Sequence, residues 1–145
     1  MRRKWSDLSD FIGTWEFDRE FDNGSKGTGI AVFVEQDSNM LEYIENGALI
    51  LKDGQTLKSS IRYYYKIQPK EILVYFFENP SRLFQRVEFE DMGKEIAGRA
   101  THYCGNDIYC SEYKFLENDT FQIIHKVHGP RKSYTSKTRF RRVGV

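Results

Sequence analysis

The chain has 145 residues, 30% of them charged and 39% hydrophobic, with a formal net charge of +1. That length holds one sizeable core, and the near-neutral balance gives no electrostatic reason to expect nucleic acid or an acidic membrane surface as partner. No apolar stretch approaches the ~20 residues that a membrane-crossing helix needs. One domain over residues 1–145 is expected, with 1–12 as an N-terminal turn and 13–142 as strands.

The chain opens on Arg2, Arg3 and Lys4, which with Arg139, Arg141 and Arg142 read as solvated termini. Trp5 is followed at once by Ser6, Asp7, Leu8, Ser9 and Asp10, so the apolar core of a secretory leader is absent and a cytoplasmic location is expected. Ser6 or Asp7 caps one helical turn through Ser9, Asp10 and Phe11. From Gly13 onward the pattern is strand and turn. Residues 14–21 alternate, with Trp15, Phe17, Arg19 and Phe21 on one face. Asp22-Asn23-Gly24 turns the chain into 28–35. Asp37-Ser38-Asn39 turns it again into 40–45, where Leu41, Tyr43 and Glu45 share a face, and a tight Asn46-Gly47 connection leads to 48–52.

Residues 58–67, 71–77, 82–89 and 95–103 follow as further strands, and 107–115, 120–128 and 132–141 complete the series. Tyr63 and Tyr65 share a face, which leaves Tyr64 and Tyr75 for the surface. Short strands at nearly even spacing argue for an all-β, up-and-down antiparallel β-barrel of about 8–10 strands. Closure removes the exposed edges of such a meander.

The C-terminal hairpins carry the candidate site. Alternation puts His102, Asp107, Tyr109, Ser111, Tyr113, His125, Lys132, Tyr134, Ser136 and Thr138 on the face of Phe115, Phe121, Ile123, Val127 and Phe140. The opposite face holds the charge load. Buried polar groups are costly unless paired or wetted, so this lining points to a pocket with a packed floor and a polar mouth. A Gly105-Asn106 turn sets His102 opposite Tyr109, Ala100 opposite Ser111 and Gly98 opposite Tyr113. Ser111 then opposes His125, and a two-residue Gly129-Pro130 turn places Val127 opposite Lys132. The ligand-binding candidates are His102, Asp107, Tyr109, Tyr113, His125, Lys132, Tyr134, Arg19 and Tyr43.

Each candidate has a structural alternative. The tyrosines suit a core whose hydroxyls reach one another, and His102 suits a satisfied core histidine. Asp107 suits a hairpin shaper, Lys132 suits solvent, and Arg19 suits an ion pair with Glu45. No metal is expected, because His128 has the opposite parity to His125, and no cofactor is indicated. Cys104 and Cys110 stand about 10 Å apart along the ladder, too far for a disulfide. Two thiols fit a reducing compartment.

Phe11-Ile12-Gly13-Thr14-Trp15 at the entry to the first strand resembles the Gly-x-Trp signature of the lipocalin-like (calycin) proteins. That resemblance implies a structural role for Gly13 and Trp15, with an arginine of the last strand lying across the ring. Arg139, Arg141 and Arg142 are the candidates, and Arg141 is taken for the role. The run His102-x-Cys104-x-x-Asp107-x-Tyr109-x-x-x-Tyr113, with Gly129-Pro130-x-Lys132-x-Tyr134, resembles an uncharacterised lipocalin-like family of unknown function. It implies a fold and no reaction. No secreted-lipocalin disulfide and no haem-binding or bilin-lyase motif is found.

The expected function is binding of a small, partly polar, aromatic or anionic molecule in the barrel. Two other classes stay open. One is an enzyme of decarboxylase, isomerase or cyclase type, with His102 or Asp107 as base and Tyr109 or Tyr134 as donor. The other is a protein-interaction module using Tyr64 and Tyr75. Oligomeric state is not legible.

Overall fold

The computed structural model describes residues 5, 7–37, 39–92, 95–117 and 119–144, with 91, 92 and 95 described by their backbone alone. The basic residues at positions 2–4, the cap candidate Ser6, and the loop residues Ser38 and Asn118 lie outside this set. Ten strands follow one 3-10 turn, Leu8–Asp10: β1 (Gly13–Phe21), β2 (Lys26–Asp37), β3 (Met40–Ile50), β4 (Thr56–Gln68), β5 (Glu71–Phe76), β6 (Leu83–Met92), β7 (Glu95–Cys104), β8 (Asp107–Leu116), β9 (Thr120–His128) and β10 (Ser133–Arg142). Each pairs antiparallel with its sequence neighbour, and β1 pairs with β10 to close the barrel.

The inward face follows from period-two alternation, and the expected parity holds along the C-terminal strands. Ser111, Tyr113 and Phe115 are buried on β8, Phe121, Ile123 and Val127 on β9, and Ser136, Thr138 and Phe140 on β10. Two turn assignments change. Asn46 and Gly47 lie inside β3, which is one strand and not two. Gly47 pairs with Gly29 of β2, and a Cβ on either would come within 2.2 Å of the other strand's backbone oxygen. The pair is a close strand approach rather than a bend, with the Phe17 ring over it. The β9–β10 loop spans 129–132, closed by Gly129 N–H donating to Lys132 O, so Val127 faces Tyr134 and not Lys132. A shift of two residues keeps every side chain on its expected face.

One end of the barrel is a solid aromatic floor. Asp7 caps the 3-10 turn by accepting from Ser9 N–H, and the turn carries Phe11 into a cluster with Trp5, Trp15, Phe33, Phe115 and Phe121. Trp15 is fully buried, and its Nε1 donates to Phe11 O at 3.0 Å. The arginine over its ring is Arg142, with the guanidinium carbon 4.3 Å from the centroid, and not Arg141. Register explains the correction. Arg142 pairs with Trp15 and continues the inward series of Ser136, Thr138 and Phe140, whereas Arg141 points outward to Asp18 and Glu16. Arg142 also donates to Ile12 O at 2.8 Å and to Asp10 O, tying the last strand to the turn that plugs the floor. Gly13 sits at φ +131, and a Cβ there would stand 2.9 Å from Arg142 Nη1. Gly13, Trp15 and Arg142 thus form one structural unit.

Arg142→Ala removes a ring contact and two charge-assisted hydrogen bonds to carbonyls. The expected loss is about 2–4 kcal/mol in urea unfolding, whereas Arg141→Ala, an exposed pair, should change stability by less than about 0.5 kcal/mol.

Candidate functional site

Away from the floor the barrel is hollow. A cavity of about 200 Å³ lies among Phe21, Tyr43, Tyr63, Phe84, Tyr109, Ile123, His125, Tyr134 and Phe140, with Arg19 and Glu45 in its wall. Strand pairing generates this space. On β2, Gly27 pairs with Arg19 and Gly29 with Phe17, which leaves the intervening strand without side-chain bulk. Arg19 crosses that lane from β1 to reach Glu45 on β3.

The contact is a bidentate ion pair, Nη1 to Oε2 and Nη2 to Oε1, both at 2.8 Å. Arg19 Nε donates to Thr138 Oγ1 at 2.7 Å, so the guanidinium is held from β3 and β10 together. Tyr43 O–H donates to Glu45 Oε1 at 2.5 Å. Glu45 is only 1% exposed, and its charge is met by three donors. Burial and the adjacent Glu45 carboxylate push the Tyr43 phenol well above its ordinary range, so it stays protonated.

A second polar chain runs from β6 through β8 to β9. Gln85 Nε2 donates to Ser111 Oγ at 2.5 Å, and Ser111 Oγ lies 2.6 Å from His125 Nδ1. Burial, reinforced by the Arg19 charge, lowers the His125 pKa to about 4, and Glu45 opposes this only in part. The imidazole is therefore neutral at physiological pH.

The candidates divide by position. Arg19, Tyr43, Tyr109, His125 and Tyr134 line the cavity. Tyr113 is core: it is 2% exposed and shares a hydrogen bond with Tyr65, and burial raises both phenols. His102 packs edge-on against Phe84 and Phe76, at 5.1 and 6.0 Å between centroids, outside the lining residues. Asp107 and Lys132 stand at the rim. Lys132 Nζ donates to the Tyr109 phenolic oxygen, Oη, at 2.8 Å and lies 3.8 Å from Asp107. Among the described residues no three His, Cys, Asp or Glu side chains converge as metal ligands do. On the outer wall Tyr64 pairs with Tyr75 and packs on Phe77, with Arg62 over the Phe77 ring.

Sequence reasoning missed Phe84 and Gln85. A bulge at the β5–β6 pairing, where Val74 meets Gln85 but Tyr75 meets Leu83, turns Phe84 inward beside Gln85. Nothing in the local pattern announces that bulge. Gln85 was legible, because it alternates with Val87 and Phe89 against Arg86, Glu88 and Glu90.

The sequence profile of a family of unknown function, DUF6314, matches residues 11–142, and the chain belongs to that family. No curated protein matches the sequence. Among solved structures, the S-type phycobiliprotein lyase CPES from Guillardia theta is similar in fold at TM-score 0.64 and 6% identity, over 95% of this chain and 91% of that one. A de novo designed fluorescence-activating β-barrel is similar at TM-score 0.50 and 15% identity, over 95% of this chain and 98% of that one. At such identities the likeness is one of fold alone.

Two outcomes test the site's electrostatics. Glu45→Leu strands the Arg19 charge inside the barrel and should destabilise by about 3 kcal/mol, while the Arg19→Met/Glu45→Leu double variant should regain most of that loss in a double-mutant cycle. For His125, the unfolded imidazole takes up a proton near pH 6.5 but the folded one only near 4, so acidification through that window favours unfolding. Unfolding titrations at pH 7 and 5 should differ by about 2 kcal/mol through this group, and His125→Gln should flatten that difference.

Proposed function

Taking membership of a family of unknown function as the starting point, we propose that the protein is a non-enzymatic binder of a small, largely aromatic molecule held in the barrel lumen. The reading places the barrel with the lipocalin-like (calycin) proteins, on the strength of the Gly13–Trp15–Arg142 unit and the unbroken meander. One observation carries the function: the lumen above the floor is a cavity of about 200 Å³ walled by rings and by polar groups tied to one another, not a packed core. Apolar walls with a few fixed polar groups are the general character of small-molecule sites. Barrels of similar fold include a phycobiliprotein lyase and a fluorescence-activating design, in keeping with a lumen that takes a small molecule.

The polar groups decide the ligand's charge. Arg19, the one charged cation among the described residues lining the cavity, is engaged by Glu45 and Thr138, so an anion in the lumen would find it already paired. That argues for the aromatic alternative over the anionic one. Tyr63 stacks on Phe84 at 5.6 Å and 8°, and Tyr134 faces Phe21 at 6.0 Å, giving two aromatic walls. The exposed thiols of Cys104 and Cys110 are free, which suits a reducing, cytoplasmic setting.

The test is native mass spectrometry of the purified protein, followed by calorimetric titration with any molecule it retains. Tyr63→Ala should weaken that binding about tenfold, the worth of one ring contact and its buried area, with a far smaller effect from Tyr64→Ala on the outer wall. Equal effects of the two substitutions would remove the lumen as the site.

A further inference from the structure

We infer that the lumen's occupant is an uncharged aromatic carbonyl compound whose oxygen accepts a hydrogen bond from the Nε2–H of His125. The inference rests on the reading of the barrel as a binding cavity and adds the chemistry of what it holds.

Gln85 on β6 is only 1% exposed. Its amide nitrogen donates to Ser111 Oγ at 2.5 Å, and its Oε1 has no hydrogen-bond partner among the described residues. Ser111 Oγ thus accepts from Gln85, and its own hydrogen is free to donate to its other close neighbour, His125 Nδ1, at 2.6 Å. A neutral imidazole that accepts at Nδ1 carries its proton on Nε2. Burial, with Arg19 behind it, keeps the ring neutral. No hydrogen bond engages Nε2 among the described residues, and His125 lines the cavity. The lumen therefore meets a fixed, uncharged N–H donor.

The remaining lumen chemistry narrows the partner. A carboxylate at His125 would share the cavity with Glu45 and find Arg19 already engaged in both directions. An ammonium would face the neighbouring Arg19 charge and a donor where it needs an acceptor. A carbonyl oxygen accepts one hydrogen bond without carrying charge into the lumen, and so matches the donor at the smallest desolvation penalty. The volume admits one or two fused rings, and Tyr63, Phe84 and Tyr134 supply faces for them.

The experiment titrates the whole protein calorimetrically with three probes of one skeleton: 1-tetralone, tetralin and 1,2,3,4-tetrahydro-1-naphthoate. The ketone should bind about tenfold more tightly than the hydrocarbon, as one neutral hydrogen bond allows, with the carboxylate weakest. His125→Leu should abolish the ketone preference and keep tetralin binding. Imidazole nitrogen NMR of the wild type should show Nε2 protonated and Nδ1 bare. Ser111→Ala should redistribute that proton and reduce the preference, which decides the matter even if the leucine variant fails to fold. Equal affinity for ketone and hydrocarbon, tightest binding by the carboxylate, or a proton on Nδ1 would overturn the carbonyl inference and leave the cavity reading standing. Failure of all three probes to bind would overturn both.

Discussion

A salt bridge inside a barrel is the constraint from which the site's character follows. Arg19 and Glu45 meet bidentately across β2, whose small inward residues there, Gly27, Gly29 and Ala31, leave the guanidinium room to cross. Burying two charges is expensive, and their mutual attraction offsets that expense only with good geometry and further hydrogen bonds. Both conditions are met here through Thr138 and Tyr43. The pair adds little net stability by this reasoning, and its main effect is chemical. It cancels the lumen's charge, while burial, with the Glu45 carboxylate adjacent, keeps the Tyr43 phenol protonated, and burial, with Arg19 nearby, lowers the basicity of His125.

The two ends of the barrel solve different problems. At the floor, aromatic rings fill the lumen and Arg142 caps them, with its hydrogen bonds directed to carbonyls that the 3-10 turn leaves free. Above it, side chains are large but do not meet in the middle, and the polar groups among them bond to one another. Lys132, Tyr109 and Asp107 form the rim of that hollow end, where a charged amine keeps its hydration while touching a phenol. The same alternation of inward and outward residues runs through both ends, so it is side-chain size and polarity that divide them.

Parity was the most legible feature of the sequence. The inward series of β8, β9 and β10 follows from period two alone, and the β9–β10 hairpin keeps its faces although its loop is four residues rather than two. Arg142 was legible by the same rule, as the next inward position after Phe140, whereas Arg141 has the opposite parity. Asn46-Gly47 misled because the dipeptide favours tight turns, while its glycine serves a cross-strand approach to Gly29 that no local pattern encodes. Phe84 was hidden by a bulge for the same reason: it depends on two strands at once. The ion pair was readable as a pairing of inward opposites. So was the pairing of Ser111 with His125, from the β8–β9 hairpin, whereas the link from Gln85 to Ser111 was not, because β6 and β8 are not neighbouring strands and only the closed barrel brings them together.

Nine of the ten seams join strands adjacent in sequence, and the β1–β10 seam joins residues such as Phe17 and Phe140. Local hairpins close short loops with little entropy to lose, whereas this seam must draw together the two ends of the meander. In a folding chain it is the natural late step, and Arg19 reaches Thr138 across it. The hollow is therefore unfinished until the ring shuts, and a half-zipped intermediate would have a floorless trough in place of a receptacle.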